Sequence, residues 1–383
     1  MRATRAIIHL DHFGGNFQAI RERIGSERQI CVPVKADAYG HGALRIARAA
    51  LETGASCLAV ATVGEGTELR EGGVKIPILL LSQPLYGEIP GILKAGLTPF
   101  VSDAAFADAL NREAAAAGLK LPVHLKIDTG MGRMGCSPAE APALARFIAG
   151  CSNSRSCSDS QGCTALDYAG TATHLAVADS AAPEDIDYTQ KQIECFKETL
   201  AGIQSAGLNP GIVHAANSGA VLLHPNAWFD MVRPGILLYG YKAEEPSLFA
   251  PLQVKPVMEL RTNVVFIKKV KKGETLSYGR TWTAPQDTNA AVLPVGYGDG
   301  LPRLVSNKWQ VYICGRAYPL VGRICMDQCL ADLGPETNVR LWDEVTVFGG
   351  DAPDAAVLAE RIGTIPYEIT CNINKRVPRV YEN

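Results

Sequence analysis

Residues 30–42 read ICVPVKADAYGHG, an apolar run that ends abruptly on Lys35 and is followed by a Gly/His-rich turn. The run is typical of a short buried strand, and the Ala-rich stretch after it is typical of a helix. An ammonium at the mouth of a buried strand is costly to desolvate, which lowers its pKa, and a neutral amine there can form a Schiff base with a carbonyl. A lysine can also reach past the strand end to solvent, so Lys35 alone leaves both interpretations open.

The same unit, a short apolar run followed by an amphipathic or Ala-rich stretch, repeats along residues 28–240. The runs that predict strands are 29–34, 57–62, 76–82, 97–102, 122–128, 168–175, 211–215 and 229–233. The clearest helical stretches between them are 104–117, 141–149 and 190–206. Strand–helix alternation repeated eight times predicts a parallel (β/α)8 barrel of the TIM type, whose usual length is about this stretch.

Beyond residue 241 the pattern changes to runs rich in β-branched and apolar residues that are punctuated by glycines. These runs are 257–270, 290–295, 309–314, 318–324 and 344–348, with one helical stretch at 355–362. We therefore predict two domains, a barrel domain over residues 1–240 and a mainly β C-terminal domain over residues 241–383.

Charge and hydropathy limit the partners that the chain is expected to have. The formal net charge is −2 over 383 residues and no polybasic block is present, which gives no reason to expect nucleic acid or an anionic membrane as a partner. No apolar run approaches the ~20 residues that span a bilayer, and the first residues lack a signal-peptide pattern. We predict a cytoplasmic protein.

The 11 cysteines mostly lack paired spacing, so we expect reduced and mostly buried thiols. Cys151, Cys157 and Cys163 lie six apart in the Ser-rich segment 151–165, a spacing that matches no zinc pattern. We interpret this segment as a surface loop insertion before the sixth strand, and we expect no metal site.

Reactive residues of a (β/α)8 barrel follow the carboxyl ends of its strands. Lys35 follows the first strand, Arg133 lies in a glycine loop after the fifth, and His174 follows the sixth. Residues 217–218 and 233–235 follow the last two strands and offer backbone N–H groups to a phosphate. Each has an ordinary explanation alone, as a surface charge, a core histidine or a turn. Together at one rim they match a pyridoxal phosphate site.

The chain closely resembles bacterial alanine racemases across both predicted domains. The matching segments occur in the family's order and are 34–42 (VKADAYGHG), 128–135, 173–176, 217–218, 233–236, 277–280 (SYGR), 295–300, 322–327 and 365–369. The resemblance implies a pyridoxal-phosphate enzyme that interconverts L-alanine and D-alanine and supplies D-alanine for peptidoglycan. It also implies a homodimer whose subunits share their active sites.

The resemblance further implies a role for each site residue. Lys35 would hold the cofactor through a Schiff base and act as one catalytic base, and Tyr278 of the partner subunit would be the other. The cofactor would be bound by Lys35, Tyr39, Arg133, His174, Asn217, Ser218, Arg233, Gly235, Ile236 and Tyr367. Arg133 and the backbone of Met326 would contact the substrate carboxylate. The supporting residues would be Lys126, at a position that is carbamylated in some relatives, with His214, Tyr297 and Asp327.

Two bases suit a racemase because the Cα proton leaves from one face of the substrate and returns to the other. A free tyrosine has a pKa of about 10 and is a poor base at neutral pH, so cationic neighbours must stabilise its phenolate. For Tyr278 the alternative is a packing role in the β domain.

Other functions remain compatible with the same barrel. A barrel-type pyridoxal-phosphate amino-acid decarboxylase is one, although such enzymes usually place an acidic residue where this chain has Arg233. A racemase for another small amino acid, such as serine, is a second. A non-catalytic pyridoxal-phosphate carrier is a third, and the second domain with Tyr278 argues against it.

Overall fold

The computed structural model describes residues 2–150, 162–242 and 252–383. In these ranges the strands are β1 (Arg5–His9), β2 (Gln29–Pro33), β3 (Cys57–Val60), β4 (Ile78–Leu80), β5 (Thr98–Val101), β6 (Leu121–Lys126), β7 (Leu166–Ala172), β8 (Ile212–His214), β9 (Met231–Val232), β10 (Met258–Asn263), β11 (Phe266–Val270), β12 (Thr275–Leu276), β13 (Trp282–Thr283), β14 (Thr288–Leu293), β15 (Gln310–Ile313), β16 (Arg316–Pro319), β17 (Cys329–Gly334), β18 (Glu344–Phe348) and β19 (Arg379–Glu382). The helices are α1 (Leu10–Ile24), α2 (Lys35–Tyr39), α3 (Ala43–Glu52), α4 (Val63–Glu71), α5 (Ile89–Ala95), α6 (Ala104–Ala116), α7 (Ala141–Ile148), α8 (Pro183–Ser205), α9 (Ser218–Leu223), α10 (Ala355–Ile362) and α11 (Pro366–Cys371).

Strands β2 to β9 form a nearly closed parallel barrel. Their order in the sheet is β8-β7-β6-β5-β4-β3-β2-β9, and β9 pairs with β2 through Gln29 and Met231. β8 and β9 are joined by isolated backbone hydrogen bonds instead of a continuous β-ladder. One of these runs from the Asp230 N–H to the Val213 carbonyl at 3.0 Å. The predicted (β/α)8 barrel is therefore confirmed, and each predicted strand is present.

Apolar side chains pack inside the barrel, because parallel strands are buried on both faces. Cys31, Cys57, Leu79, Phe100 and Met231 pack together there. The two cysteines are free buried thiols, as the sequence predicts.

Cys163 departs from the predicted surface loop. Its side chain is buried, and its Sγ lies 3.9 Å from the Ala107 carbonyl, so the surface assignment is wrong at this position. Cys151 and Cys157 lie outside the described residues. Within the described ranges, no cluster of three or more His, Cys, Asp or Glu side chains is arranged to hold a metal.

The remaining strands form the mainly β second domain that the sequence predicts. A six-stranded sheet has the order β16-β15-β18-β10-β1-β19, and a smaller sheet has the order β11-β14-β17. β1 lies antiparallel to β10 and parallel to β19, so the first strand of the chain completes this sheet. The domain boundary at residues 240 and 241 stays a prediction.

Some helices and strands begin or end at residues other than those predicted from the sequence, because capping or turn-forming residues set the boundary. α8 begins at Pro183 instead of residue 190, because proline suits the first helical position and Glu184 and Asp185 favour the first turn. The predicted run 318–324 ends as a strand at Pro319, before a turn at Gly322, whose φ is +73°.

Of the helices described, none is long and apolar enough to cross a membrane.

Candidate active site

A cavity of about 590 Å³ opens at the carboxyl ends of the barrel strands. Its lining residues are Pro33, Lys35, Tyr39, Ala61, Leu81, Ser82, Gln83, Phe100, Lys126, Met131, Arg133, Met134, His174, Asn217, Ser218, Arg233, Gly235 and Tyr367. In (β/α)8 barrels this rim is the usual place of the active site. The barrel therefore brings together most of the residues that the sequence singles out.

Two of the predicted site residues lie just outside this cavity. Ile236 is buried and lines a second cavity of about 990 Å³, which shares Ser218 and Tyr367 with the first. His214 lies behind Arg233, in hydrogen-bond contact with it. The predicted contact of Ile236 with the cofactor stays a prediction.

The chain turns sharply after Lys35 through one left-handed helical turn, α2. Residues 36–39 have φ values of +52° to +53°, although none is a glycine. Left-handed helix costs roughly 1–2 kcal/mol per residue for ordinary side chains, so contacts outside the turn must stabilise it. One such contact joins Arg379 Nε to the Gly40 carbonyl at 3.0 Å.

Burial makes Lys35 a better nucleophile than a surface lysine. Desolvation lowers the pKa of its ammonium, and the nearby Arg133 cation lowers it further, while Glu65 acts in the opposite direction. The neutral amine is the form that attacks a carbonyl. Lys35 therefore has the chemistry that Schiff-base formation requires.

Arg233 is held at the cavity floor by acceptors that carry no formal charge. Its Nη2 donates to the carbonyls of Thr173 and Ala215 at 2.8 and 3.2 Å, and its Nη1 lies 2.5 Å from His214 Nδ1. Its Nη2 also lies 3.3 Å from His174 Nδ1. Burial lowers the pKa of Arg233 to about 10, so the guanidinium stays charged at neutral pH.

The Arg233 guanidinium also fixes the tautomers of two histidines. A guanidinium only donates, so His214 Nδ1 must accept, and the proton of neutral His214 is on Nε2. That Nε2 lies 2.8 Å from His124 Nδ1, which is the acceptor in turn. Burial, followed by the Arg233 cation, lowers the pKa of His214 well below its usual value and that of His124 to about 4. Both rings are neutral at physiological pH.

Lys126 is a second lysine of low basicity in this cavity. Burial, with a further contribution from Arg233, lowers its pKa to about 7. Its Nζ donates to the Ile127 carbonyl at 2.8 Å. A substantial fraction of this amine is therefore neutral at physiological pH.

The lining residues fit a ligand that carries negative charge. They include the basic side chains of Lys35, Lys126, Arg133 and Arg233, and none of the described residues that line the cavity is acidic. Gly235 leaves room beside Tyr39, because a Cβ at Gly235 would lie 2.8 Å from the Tyr39 hydroxyl. A carbonyl compound with a phosphate group, such as pyridoxal phosphate, matches this set of groups.

Tyr367 forms the wall between the two cavities. Its ring lies against that of Tyr39, with centroids 5.7 Å apart. Burial raises the pKa of both phenols, so both are protonated at neutral pH. Tyr367 therefore narrows the cavity with an aromatic ring and offers a hydroxyl group.

Tyr367 is the one predicted site residue of the second domain that lines this cavity; the other four, Tyr278, Tyr297, Met326 and Asp327, are not among its described lining residues. Tyr278, Tyr297 and Met326 are 71%, 43% and 53% exposed, and Asp327 is exposed beside Arg376. Their loops adjoin one another, since Tyr297 N–H donates to the Cys325 carbonyl at 3.1 Å and Ser277 Oγ, next to Tyr278, donates to the Arg323 carbonyl at 2.6 Å. A single chain therefore presents them as an exposed cluster, separate from Lys35, and the base role of Tyr278 stays a prediction.

Sequence reasoning missed several contributors to the site. Gln83 and Met134 form a neutral wall, with Gln83 N–H 3.3 Å from Met134 Sδ. No motif covers Gln83, and Met134 lies in the matching segment 128–135 without a predicted role of its own. His124 lies in an apolar strand without a motif. Glu65 accepts the Ala36 N–H at 2.6 Å, and its only sequence signal is Thr62 three residues earlier, the spacing of a capping box.

Comparisons with known proteins agree on one family. The family models "Alanine racemase, N-terminal domain" and "Alanine racemase, C-terminal domain" match residues 8–243 and 257–381. The alanine racemase of Treponema denticola is 51% identical over 387 residues, covering 100% of this chain and 98% of the relative. That of Treponema pallidum is 45% identical, with 100% of both chains covered.

Solved structures give the same result. An alanine racemase of Clostridium difficile 630 superposes with a TM-score of 0.90 at 34% identity, covering 100% of this chain and 96% of that chain. The Bacillus anthracis alanine racemase with bound L-Ala-P has a TM-score of 0.89 at 32% identity, with 100% and 96% coverage.

Proposed function

Because the chain belongs to the alanine racemase family, we propose that it interconverts L-alanine and D-alanine with pyridoxal phosphate held at Lys35. The observation that carries this proposal is the cavity itself, where a desolvated lysine lies among cationic groups and none of the described lining residues is acidic. When bound, pyridoxal phosphate supplies an electron sink that makes the Cα proton of an attached amino acid acidic.

The phosphate would be held on the side of the cavity formed by Tyr39, Ser218, Gly235 and Tyr367. Gly235 leaves the space beside the Tyr39 hydroxyl open. The backbone of Ile236 belongs to the same proposed phosphate loop. Asn217 caps α9 by accepting the Ala220 N–H at 3.0 Å, which fixes the position of Ser218.

Arg233 would face the ring nitrogen as a permanent donor, with His174 against the ring. A guanidinium with a pKa of about 10 does not give up its proton at neutral pH. The ring nitrogen would therefore remain unprotonated, which limits side reactions that require a stronger electron sink. His214 and His124 keep the guanidinium in place through their fixed tautomers.

Proton transfer is assigned to two groups. Lys35 Nζ, once released by the substrate amine, would exchange the Cα proton on one face. The hydroxyl oxygen of Tyr278 of the partner subunit would serve the other face, with its phenolate stabilised by the cations at Arg133 and Arg233. Arg133 would also hold the substrate carboxylate, together with the backbone of Met326.

This assignment makes the active enzyme a homodimer with shared sites. Its support is that Tyr278, Tyr297 and Met326 are exposed and are not among the described residues that line their own chain's cavity. We also propose that the enzyme is cytoplasmic and that it supplies D-alanine for peptidoglycan.

Reductive trapping tests the placement of the cofactor. The full chain is loaded with pyridoxal phosphate, reduced with borohydride, digested and mapped by mass spectrometry. We expect the modified residue to be Lys35 and not Lys126, the other lysine of low pKa that lines the cavity. A label on Lys126, or no label, would refute the assignment.

A further inference from the structure

We propose that Glu65 is a positioning residue for Lys35, a role that rests on the proposed function of that lysine. The Glu65 carboxylate bridges the loops that follow two neighbouring barrel strands. Its Oε1 accepts from Ala36 N–H, next to Lys35, at 2.6 Å. Its Oε2 accepts from Ala61 and Thr62 N–H at 2.8 and 3.1 Å.

The bond to Ala36 anchors the start of the left-handed turn. Ala36 is the first residue of this turn with positive φ. The backbone enters the turn from Val34, whose φ is −121°. The Ala38 N–H bonds to the Val34 carbonyl and the Gly40 N–H to the Ala36 carbonyl, whereas the Ala36 N–H bonds to Glu65. The carboxylate therefore fixes the peptide that joins Lys35 to the turn.

The far end of the same turn is held independently. Arg379 donates to the Gly40 carbonyl at 3.0 Å, and Asp37 Oδ1 accepts the Ala43 N–H at 2.7 Å. Loss of Glu65 would thus release the Lys35 end of the turn and leave the other end in place. Because residues 36–39 are in a conformation that their side chains disfavour, the released end is expected to move toward right-handed backbone.

Glu65 also contributes a charge that opposes the other influences on Lys35. Burial and Arg133 lower the pKa of Lys35, and the Glu65 carboxylate raises it. Glu65 therefore affects both the orientation of the Lys35 side chain and the pKa of its amine.

The simpler explanation is that Glu65 only caps helix α4. Thr62 and Glu65 form a capping box, in which Thr62 Oγ1 accepts the Glu65 N–H at 3.2 Å. Thr62→Ala removes this half of the box without touching Ala36, so it is the matched control. If Glu65 were only a cap, Glu65→Ala and Thr62→Ala would behave alike.

Hydrogen–deuterium exchange of the full chain loaded with pyridoxal phosphate separates the two roles without relying on activity. In Glu65→Ala, amides of residues 36–40 should exchange at least tenfold faster than in wild type, and in Thr62→Ala they should exchange at the wild-type rate. We also expect kcat for alanine to fall at least tenfold in Glu65→Ala with KM changed less than threefold, because displacement of a reacting group by ~1 Å costs up to ~10²-fold.

Equal exchange at residues 36–40 and equal kcat in the two alanine variants would overturn the proposal. Should Glu65→Ala fail to fold, Glu65→Gln takes its place. The amide preserves the side-chain volume but has only one oxygen for the donors on both loops. Exchange at residues 36–40 and kcat are then compared with those of Thr62→Ala in the same way. A wild-type chain without racemase activity would instead refute the proposed function, whatever the exchange result.

Discussion

Arg233 Nη1 lies 2.5 Å from His214 Nδ1, and the other hydrogen bonds of this buried guanidinium go to the carbonyls of Thr173 and Ala215 and to His174. These partners are neutral, and within residues 2–150, 162–242 and 252–383 no carboxylate forms an ion pair with the Arg233 guanidinium. The charge stays available to an anionic ligand in the cavity. A site with an acidic residue at the position of Arg233 would lack this positive charge.

Replacing Arg233 with Glu reverses this charge. A carboxylate accepts a proton and shares it with the ring nitrogen of bound cofactor, so we expect racemisation to slow by about 10²-fold or more, the scale for losing one preorganised donor. Pyruvate from side transamination should increase relative to racemisation. Arg233→Lys, which keeps a cation, is the control and should leave the pyruvate ratio low. An unchanged ratio in Arg233→Glu would remove Arg233 from this role.

Lys126 is expected to react with carbon dioxide. Its pKa of about 7 leaves much of the amine neutral, and a carbamate would turn a cation repelled by Arg233 and Arg133 into an anion attracted by both. The Arg133 guanidinium makes no hydrogen bond to any described residue, so a carbamate would also give it a partner.

Carbon-13 NMR with labelled bicarbonate tests this expectation on wild type and on Lys126→Met. At fixed dissolved carbon dioxide, the carbamate signal should grow from pH 6 to pH 8, since only the neutral amine reacts and deprotonation is centred near pH 7. The signal should be absent in Lys126→Met. A wild-type spectrum without it at every pH would show that the amine remains unmodified.

Tyr367 is expected to limit the size of the substrate. Its ring lies against Tyr39 and lines the cavity, so a hydroxymethyl side chain would cost ~1–3 kcal/mol relative to a methyl group. Wild type should prefer alanine to serine, and Tyr367→Asn should shift the ratio of kcat/KM toward serine. If Tyr367 only packs its own helix, α11, against neighbouring elements, the variant loses thermal stability and keeps the wild-type ratio of kcat/KM.

Subunit mixing tests the shared site. Lys35→Ala and Tyr278→Phe should each be inactive, because each lacks one base. Mixed under conditions of demonstrated subunit exchange, they should regain activity, since a hybrid dimer has one site with both bases intact. Failure to recover would mean that both bases come from one chain, which the exposed position of Tyr278 makes difficult to reconcile with the cavity around Lys35.

The barrel was predictable because each of its strands carries its own apolar run and several functional groups follow the end of such a run. Lys35, His174 and Arg233 all follow such runs, and parallel strands place those ends at one rim. Long-range pairings are different. β1 joins the second-domain sheet through β10 and β19, more than 200 residues away, and no local pattern encodes that register.

Contacts made by single side chains across loops were also inaccessible to sequence reasoning. Glu65 meets Ala36 only because two barrel loops are neighbours, and His124 meets His214 across β7, which lies between their strands. Cys163 illustrates the reverse error, since a Ser-rich neighbourhood suggested the surface while packing near Ala107 buries its thiol.

Circular dichroism of alanine solutions, with total alanine measured in parallel, tests the central claim most directly. Starting from either enantiomer, the wild-type chain with pyridoxal phosphate should bring the signal to zero while the total amount of alanine stays constant. Lys35→Ala should leave both signals unchanged. A signal that decays only as alanine is consumed, as in decarboxylation, or an unchanged signal with the fully loaded wild-type chain, would contradict the account.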